Sequence, residues 1–329
     1  PFQGLMYHMV WQFGNLDYVY GYQTREEKGE NTVNIEKIYF QATDGLELDG
    51  LLHMGEKKSS SVILSVHGMT SNCLKKREDV IAREAIENGI DYFSFNNRGH
   101  DIQSYASQKI GGTHQKKIIG MANEDVLDSI YDIKGAILTL QKNGYTDFYL
   151  QGHSLGCTKV VYTYHQLKKT NDPLVNSIKA VILLSLIDIP RMQQIYLGKH
   201  YQTMMQIAEE NEKKEKLDQL MPKEAFIHPI STKTYLRYFR DNQAINFAQY
   251  HNKEYDFPEL NQIQVPLFMR WGNLYEMIEQ KAEDLVQLIQ EKVHNPFQDI
   301  AYIEGADHGY SQHKEQLAQE IAGFLKKIQ

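Results

Sequence analysis

The sequence predicts an α/β protein: a mostly parallel sheet with helices on both faces. Three observations carry this expectation. From residue 61 onward, short apolar runs alternate with helix-length segments, the order that parallel strands joined by crossover helices produce. Runs such as "SVILSVHG" at 61–68 and "KAVILLSLI" at 179–187 lack polar alternation, as strands buried on both faces do. Between them, Val126, Ile130, Ile133, Ile137 and Leu140 recur at helical spacing.

In chain order, "IEKIYFQATDGLELDGLLH" at 35–53 predicts a hairpin turning at Asp44-Gly45. The strand at 61–68 follows, then a helix over 73–89 and a strand in "DYFSFNNRG" at 91–99. The periodic segment predicts a helix over 123–142, with Asn123 as its N-cap. "DFYLQ" at 147–151 is the fifth strand, followed by a helix through about Lys168, and 179–187 is the sixth strand. "VPLFMRWG" at 265–272, a helix near 279–293, "DIAYIEG" at 299–305 and a helix near 313–328 complete the alternation.

Residues 190–260 break that rhythm. They are rich in Met, Tyr, Gln and charge, with helices expected over 190–218 and 231–250. This predicts a core at 33–189 and 261–329 carrying a helical cap, 190–260, inserted after the sixth strand. Residues 1–32 are aromatic-rich without a period and are expected to form an N-terminal arm.

A chain of 329 residues with 42 % hydrophobic and 23 % charged residues suits one large α/β domain with an insertion, or two domains. The net charge of −7 argues against a broad nucleic-acid surface. The longest aliphatic stretch, "AVILL" at 180–184, is far too short to span a bilayer. Two cysteines, Cys73 and Cys157, do not make a disulfide framework. With no signal-peptide pattern, the expected location is cytoplasmic. The histidines show no metal-ligand spacing, and there is no phosphate loop of the G-x-x-x-x-G-K type.

Gly152-His153-Ser154-Leu155-Gly156 fits G-x-S-x-G between a strand and a helix. A serine hydroxyl is a weak nucleophile at its free pKa and needs a base and oxyanion donors to react. The strand–turn–helix context places Ser154 at the C-terminal edge of the sheet, with small residues on either side so that strand and helix can approach. "SVHGMTS" puts Met69 just past an earlier strand, where its N–H would donate to an oxyanion together with the N–H of Leu155. "EGADHGY" puts His308 just past the last strand, in position to act as base. Arg98-Gly99-His100 is expected to fix a loop beside the site, and Cys157 to be a small buried hydrophobe.

Through "HGMTS", "NNRGH", "GHSLG" and "GADHG" the chain resembles the α/β-hydrolase superfamily over about 33–328. More narrowly, "GHSLGC", "KAVILLSLIDIPR", "LMPKEAFIHPIST" and "GADHGY" resemble the esterase family that includes fungal siderophore esterases, which typically have threonine where Leu155 stands. The resemblance implies a serine hydrolase without metal or organic cofactor, acting on a small-molecule ester. In that family the triad acid is an Asp in the turn after the strand equivalent to 265–272. Here the turn reads "RWGNLYEMIEQ", with Tyr275 at the aspartate position and Glu276 as the nearest carboxylate. Glu276 is therefore the expected acid, since Glu serves as well as Asp for orienting an imidazole. Asp188, expected to cap a helix, is its competitor, and Asp307 adjoins His308 without being placed to orient it.

The reaction expected is hydrolysis of a carboxylic ester, bulky or macrocyclic by the narrower resemblance. An amidase or thioesterase would use the same residues, and a non-catalytic binding protein on the same fold is the alternative of another class. In the cap, Tyr196, Met205 and Tyr238 are the candidates to line an acyl or alcohol pocket, alongside apolar residues that pack the cap onto the body.

Overall fold

The computed structural model describes residues 33–241 and 244–329; the arm expected at 1–32 lies outside them. β1 (Asn34–Gln41) and β2 (Glu47–Met54) form the expected antiparallel hairpin, with Gly45 at φ 90° in its turn. They are followed by β3 (Ser61–Val66), α1 (Lys76–Glu87), β4 (Asp91–Phe95), and a hairpin of β5 (Ser104–Ile110) and β6 (Thr113–Ile119). Next come α2 (Ser129–Lys142), β7 (Asp147–His153), α3 (Leu155–Lys169) and β8 (Ile178–Leu184). Before the next strand the described residues form the α-helices α4 (Ile189–Leu197), α5 (Tyr201–Lys213), α6 (Thr232–Phe239) and the short α7 (Pro258–Asn261). The chain finishes with β9 (Leu267–Gly272), α8 (Ala282–Lys292), β10 (Gln298–Ile303) and α9 (Lys314–Ile328).

Eight strands make one sheet in the order β1-β2-β4-β3-β7-β8-β9-β10. β1 and β4 run antiparallel to β2, and every pair from β4 to β10 is parallel. Side chains alternate across a strand, which explains why the apolar runs are continuous. Val62, Leu64 and Val66 of β3 face a core shared with α2, α3 and α8. Ile63, between them, faces α1 and α9 together with Tyr149, Ile182 and Phe268. Burial on both faces leaves no position where a polar residue would be solvated.

Several expectations are corrected. Asn123 caps nothing: Asp125 accepts from the Leu127 N–H and closes a short 3-10 turn at Val126–Asp128, so the α-helix begins only at Ser129. The strands at 61–68 and 91–99 stop at Val66 and Phe95, where the chain turns out of the sheet to form loops at its C-terminal edge. The helix expected over 190–218 is divided by Gly198 at φ 53°, and the one expected over 231–250 ends at Phe239. The β5–β6 hairpin was not anticipated. Its turn is the two-residue loop Gly111-Gly112, both at positive φ, a geometry that glycine adopts without strain. No helix among the described residues is long and apolar enough to cross a membrane.

Candidate active site

β7 ends at His153 and α3 begins at Leu155, so Ser154 alone makes the turn, at φ 55° and ψ −124°. This is strained backbone for a non-glycine residue, costing about 1–3 kcal/mol. The surrounding packing makes it obligatory. A side chain at Gly156 would land on the Val66 carbonyl, and one at Gly68 would sit 2.9 Å from Ser154 Cβ. The helix, the turn and the end of β3 therefore close on one another with no room for a methyl group. Cys157 is buried one turn into α3, where its thiol donates to the Gly152 and Leu184 carbonyls at 3.2 Å and burial pushes its pKa up. It is the inert hydrophobe expected.

His308 lies in the loop between β10 and α9. Two contacts fix it. The residue before Ser154, His153, donates from Nε2 to the His308 carbonyl at 2.8 Å, and the two rings lie 5.0 Å apart. Burial, with the nearby Arg77 guanidinium, holds the His153 imidazole well below its ordinary pKa, so it is neutral and its one proton goes to that carbonyl. On the other side, His308 Nδ1 hydrogen bonds to Glu276 Oε1.

Glu276 is buried in the turn after β9. Its Oε1 also accepts from the Met277 N–H at 3.0 Å, and Oε2 accepts from the Gly272 N–H at 3.0 Å and Ser185 Oγ at 2.8 Å. Burial would raise its pKa, but the His308 ring and these donors outweigh that and hold the carboxyl below its ordinary range. Tyr275, at the position where the resemblance leads one to look for Asp, adopts φ 54° and is half exposed, while the next residue turns inward. The turn and the histidine loop are tied together directly. Gly305 N–H donates to Asn273 Oδ1 at 2.7 Å, and Leu274 N–H to the Ala306 carbonyl at 2.9 Å. Asp188 is engaged elsewhere: Oδ1 caps α4 through the Arg191 N–H and Oδ2 pairs with His251 Nδ1 at 2.7 Å. Asp307 accepts from the Ser311 N–H.

Beyond β3, the loop carrying Met69 is held by His67. Its Nδ1 donates to the Gly68 carbonyl at 2.9 Å, and Nε2 accepts from the Asn97 N–H at 3.2 Å. Burial and the Lys159 ammonium push this imidazole down to about 3, so the tautomer is set by its partners. Leu155 is the first residue of α3, where a backbone N–H has no partner within its own helix. Ser154, His308, Glu276, Gly68-Met69 and Leu155 all come from the C-terminal ends of β7, β10, β9 and β3, the edge at which open α/β sheets bind their ligands.

Residues 61–319 match the family model of the alpha/beta hydrolase fold. The chain belongs to the α/β-hydrolase fold family. Solved α/β hydrolases agree with this. The chain is similar to Est1E of Butyrivibrio proteoclasticus bound to ferulic acid, at 17 % identity and TM-score 0.60, over 88 % of this chain and 98 % of that one. A soluble variant of the Saccharomyces cerevisiae monoglyceride lipase with a substrate analogue matches at 13 % identity and TM-score 0.58, over 94 % and 99 %. The Pyrococcus furiosus esterase Pf2001 matches at 14 % identity and TM-score 0.55, over 90 % and 93 %. At these identities the likeness is one of fold. No curated protein matches the sequence.

Between β8 and β9, the three residues singled out from sequence differ in setting. Tyr238 is fully buried and donates its hydroxyl to Glu124, and Met205 is buried in the packing of α5. Tyr196 is 40 % exposed. Arg98 fixes its loop as expected, through a bidentate pair with buried Asp132 and further contacts to Asp44 and Asp128. Sequence reasoning passed over the groups that support Glu276: Ser185, at φ 54° just past β8, and Tyr310, whose buried hydroxyl donates to the Arg270 carbonyl and lies 3.0 Å from Ser185 Oγ. Their only signal was position, at the ends of two strands already placed beside the site.

Proposed function

We propose that this chain is a serine-dependent carboxylic-ester hydrolase working through an acyl-enzyme. One observation carries the reading: the elbow serine and the Glu276-bound His308 are tied together by the His153 hydrogen bond to the His308 carbonyl. Ser154 Oγ attacks the acyl carbonyl while His308 Nε2 takes its proton. Glu276 keeps the Nδ1 proton in place and offsets the charge of the imidazolium. The N–H groups of Met69 and Leu155 hold the oxyanion, and the helix N-terminus favours the same charge. As the intermediate collapses, the C–O bond breaks and His308 gives its proton to the leaving alcohol. Water then repeats the sequence: His308 accepts its proton, hydroxide adds to the acyl carbon, and Ser154 leaves with the proton returned.

The substrate class we favour is a bulky or macrocyclic ester. It is supported by the narrower resemblance and by the helices between β8 and β9, where Tyr196 keeps a partly exposed ring. The titles of the similar structures, a ferulic-acid complex and a monoglyceride lipase among them, support ester chemistry in general. The test is a panel of esters, thioesters and amides turned over by the parent and by Ser154→Ala. Ester hydrolysis lost by several orders of magnitude in the variant is the expected result; Ser154→Ala retaining turnover within about tenfold of the parent would contradict it.

A further inference from the structure

Lys159 lies on α3, five residues beyond Ser154, and its ammonium has no exposure. A buried charge is costly unless it is paired and hydrogen-bonded. Its partners are Glu124 Oε2 at 2.7 Å and Asn97 Oδ1 at 2.9 Å. Each leads in a different direction.

Asn97 leads to the oxyanion loop. Because its Oδ1 accepts from Lys159 and from the Gly99 N–H, its Nδ2 is turned to the His67 carbonyl, and its own N–H donates to His67 Nε2. That acceptor role puts the ring proton on Nδ1, where it is given to the Gly68 carbonyl. The Gly68 carbonyl and the Met69 N–H belong to one peptide group, which is planar with the two pointing in opposite directions. Anchoring the oxygen thus aims the N–H.

Glu124 leads to the helical insertion. Its Oε1 accepts from the Tyr238 hydroxyl of α6, and its backbone carbonyl accepts from Thr234 Oγ1 at 2.8 Å. The same helix is seated on this segment by the Ser231 N–H to the Ala122 carbonyl and by the pair of Arg237 with Asp125. The links from Tyr238 through Glu124, Lys159, Asn97 and His67 to the Gly68 carbonyl are buried.

We propose that Lys159 is a positioning residue that ties helix α6, through Glu124 and Tyr238, to the Gly68–Met69 peptide, so that the seating of the insertion sets the aim of the oxyanion donor. This deepens the proposed ester hydrolysis and rests on it.

The test compares the parent with Lys159→Met/Glu124→Gln, which removes both charges together, and with Tyr238→Phe, which keeps the ring and deletes the hydroxyl. Active sites are titrated with a fluorophosphonate, so unfolded protein does not enter the rates. For p-nitrophenyl acetate, kcat per titrated site should fall about tenfold or more in the double variant, with KM within about twofold. Deleting a donor outright costs about 10²–10³, and here it is misaimed rather than lost. Affinity for a trifluoromethyl ketone, whose adduct carries the oxyanion, should weaken by the same factor. Tyr238→Phe should move kcat and ketone affinity in the same direction by a smaller factor. A purely structural role would lower thermal stability and leave kcat per site and ketone affinity at parental values. Should the double variant fail to fold, Tyr238→Phe alone decides: parental kcat and ketone affinity overturn the proposal. A parent that turns over no ester overturns the functional reading and this proposal with it. An active parent with unaffected variants overturns this proposal alone.

Discussion

Replacing Glu276 by Gln removes one charge and keeps the shape. All four groups around the carboxylate donate to it: His308 Nδ1, the N–H groups of Gly272 and Met277, and Ser185 Oγ. A carboxylate accepts them all, whereas an amide must point its NH2 at two of them. With the NH2 on the Oε2 side it opposes the Gly272 N–H and requires Ser185 to turn. With the NH2 on the Oε1 side it opposes the Met277 N–H and forces His308 Nδ1 to become an acceptor. The second arrangement moves the imidazole proton to Nε2, the nitrogen that must act as base. Either way the imidazolium loses its counter-charge. A wrong tautomer at a serine triad costs about 10⁴ in kcat. We therefore expect a loss of about 10³–10⁴, or about 4–5.5 kcal/mol of transition-state stabilisation, with KM little changed. One unsatisfied buried donor also costs about 1–3 kcal/mol of stability, so circular dichroism and a urea midpoint come first. Asp188→Asn, run in parallel, should lower stability through its cap and His251 contacts and leave kcat within about threefold. A folded Glu276→Gln enzyme with kcat within about tenfold of the parent, or a large kcat loss confined to Asp188→Asn, would show that Glu276 is not the acid that orients His308.

Two further outcomes follow from the packing and the buried histidines. Gly156→Ala drives a methyl group into the Val66 carbonyl on a central strand and should destabilise the protein by about 3 kcal/mol or more; a denaturant midpoint showing a loss under about 1 kcal/mol would contradict the close approach. His67 is held at about 3 when folded and titrates near 6.5 when unfolded, so between those values the unfolded chain binds a proton that the native state does not. Stability therefore rises with pH across this window and falls on acidification by about 1.4 kcal/mol per unit from this group alone, with His153 adding the same sign. Glu276, lowered on folding, contributes stability that is present above its unfolded value and lost as pH falls through its folded one. Urea midpoints that stay flat from pH 7 to 4.5 would show that these histidines are not buried neutral.

What could be read from sequence was local or periodic. The elbow is legible because strand, turn and helix are contiguous and the glycines sit where backbones must touch. His308 was singled out by its place just past the last strand and Glu276 by the turn in which the resemblance puts an acid; the two side chains meet because parallel strands bring their C-terminal ends to one edge. The start of α2 was misplaced because Asp125 and Asn123 are equally good capping types, and only the backbone shows which one turns. Gly111-Gly112 signalled a hairpin, but its strands are polar and largely exposed, so no apolar alternation marked them. Lys159 was invisible for a deeper reason. A lysine in a helix is normally a solvated position, and nothing nearby in sequence reveals that Asn97 and Glu124, 62 and 35 residues away, converge on it. Ser185 and Tyr310 were missed likewise, being 125 residues apart.

Covalent trapping tests most directly whether Ser154 is the nucleophile. Parent protein and Ser154→Ala are treated with a fluorophosphonate, and intact mass and peptide mapping locate the adduct. We expect one phosphonyl group per parent chain, on the peptide containing Gly152-His153-Ser154-Leu155-Gly156, with none on Ser154→Ala and slow labelling of Glu276→Gln. An adduct on another residue, equal labelling of Ser154→Ala, or no adduct on folded parent protein would contradict it.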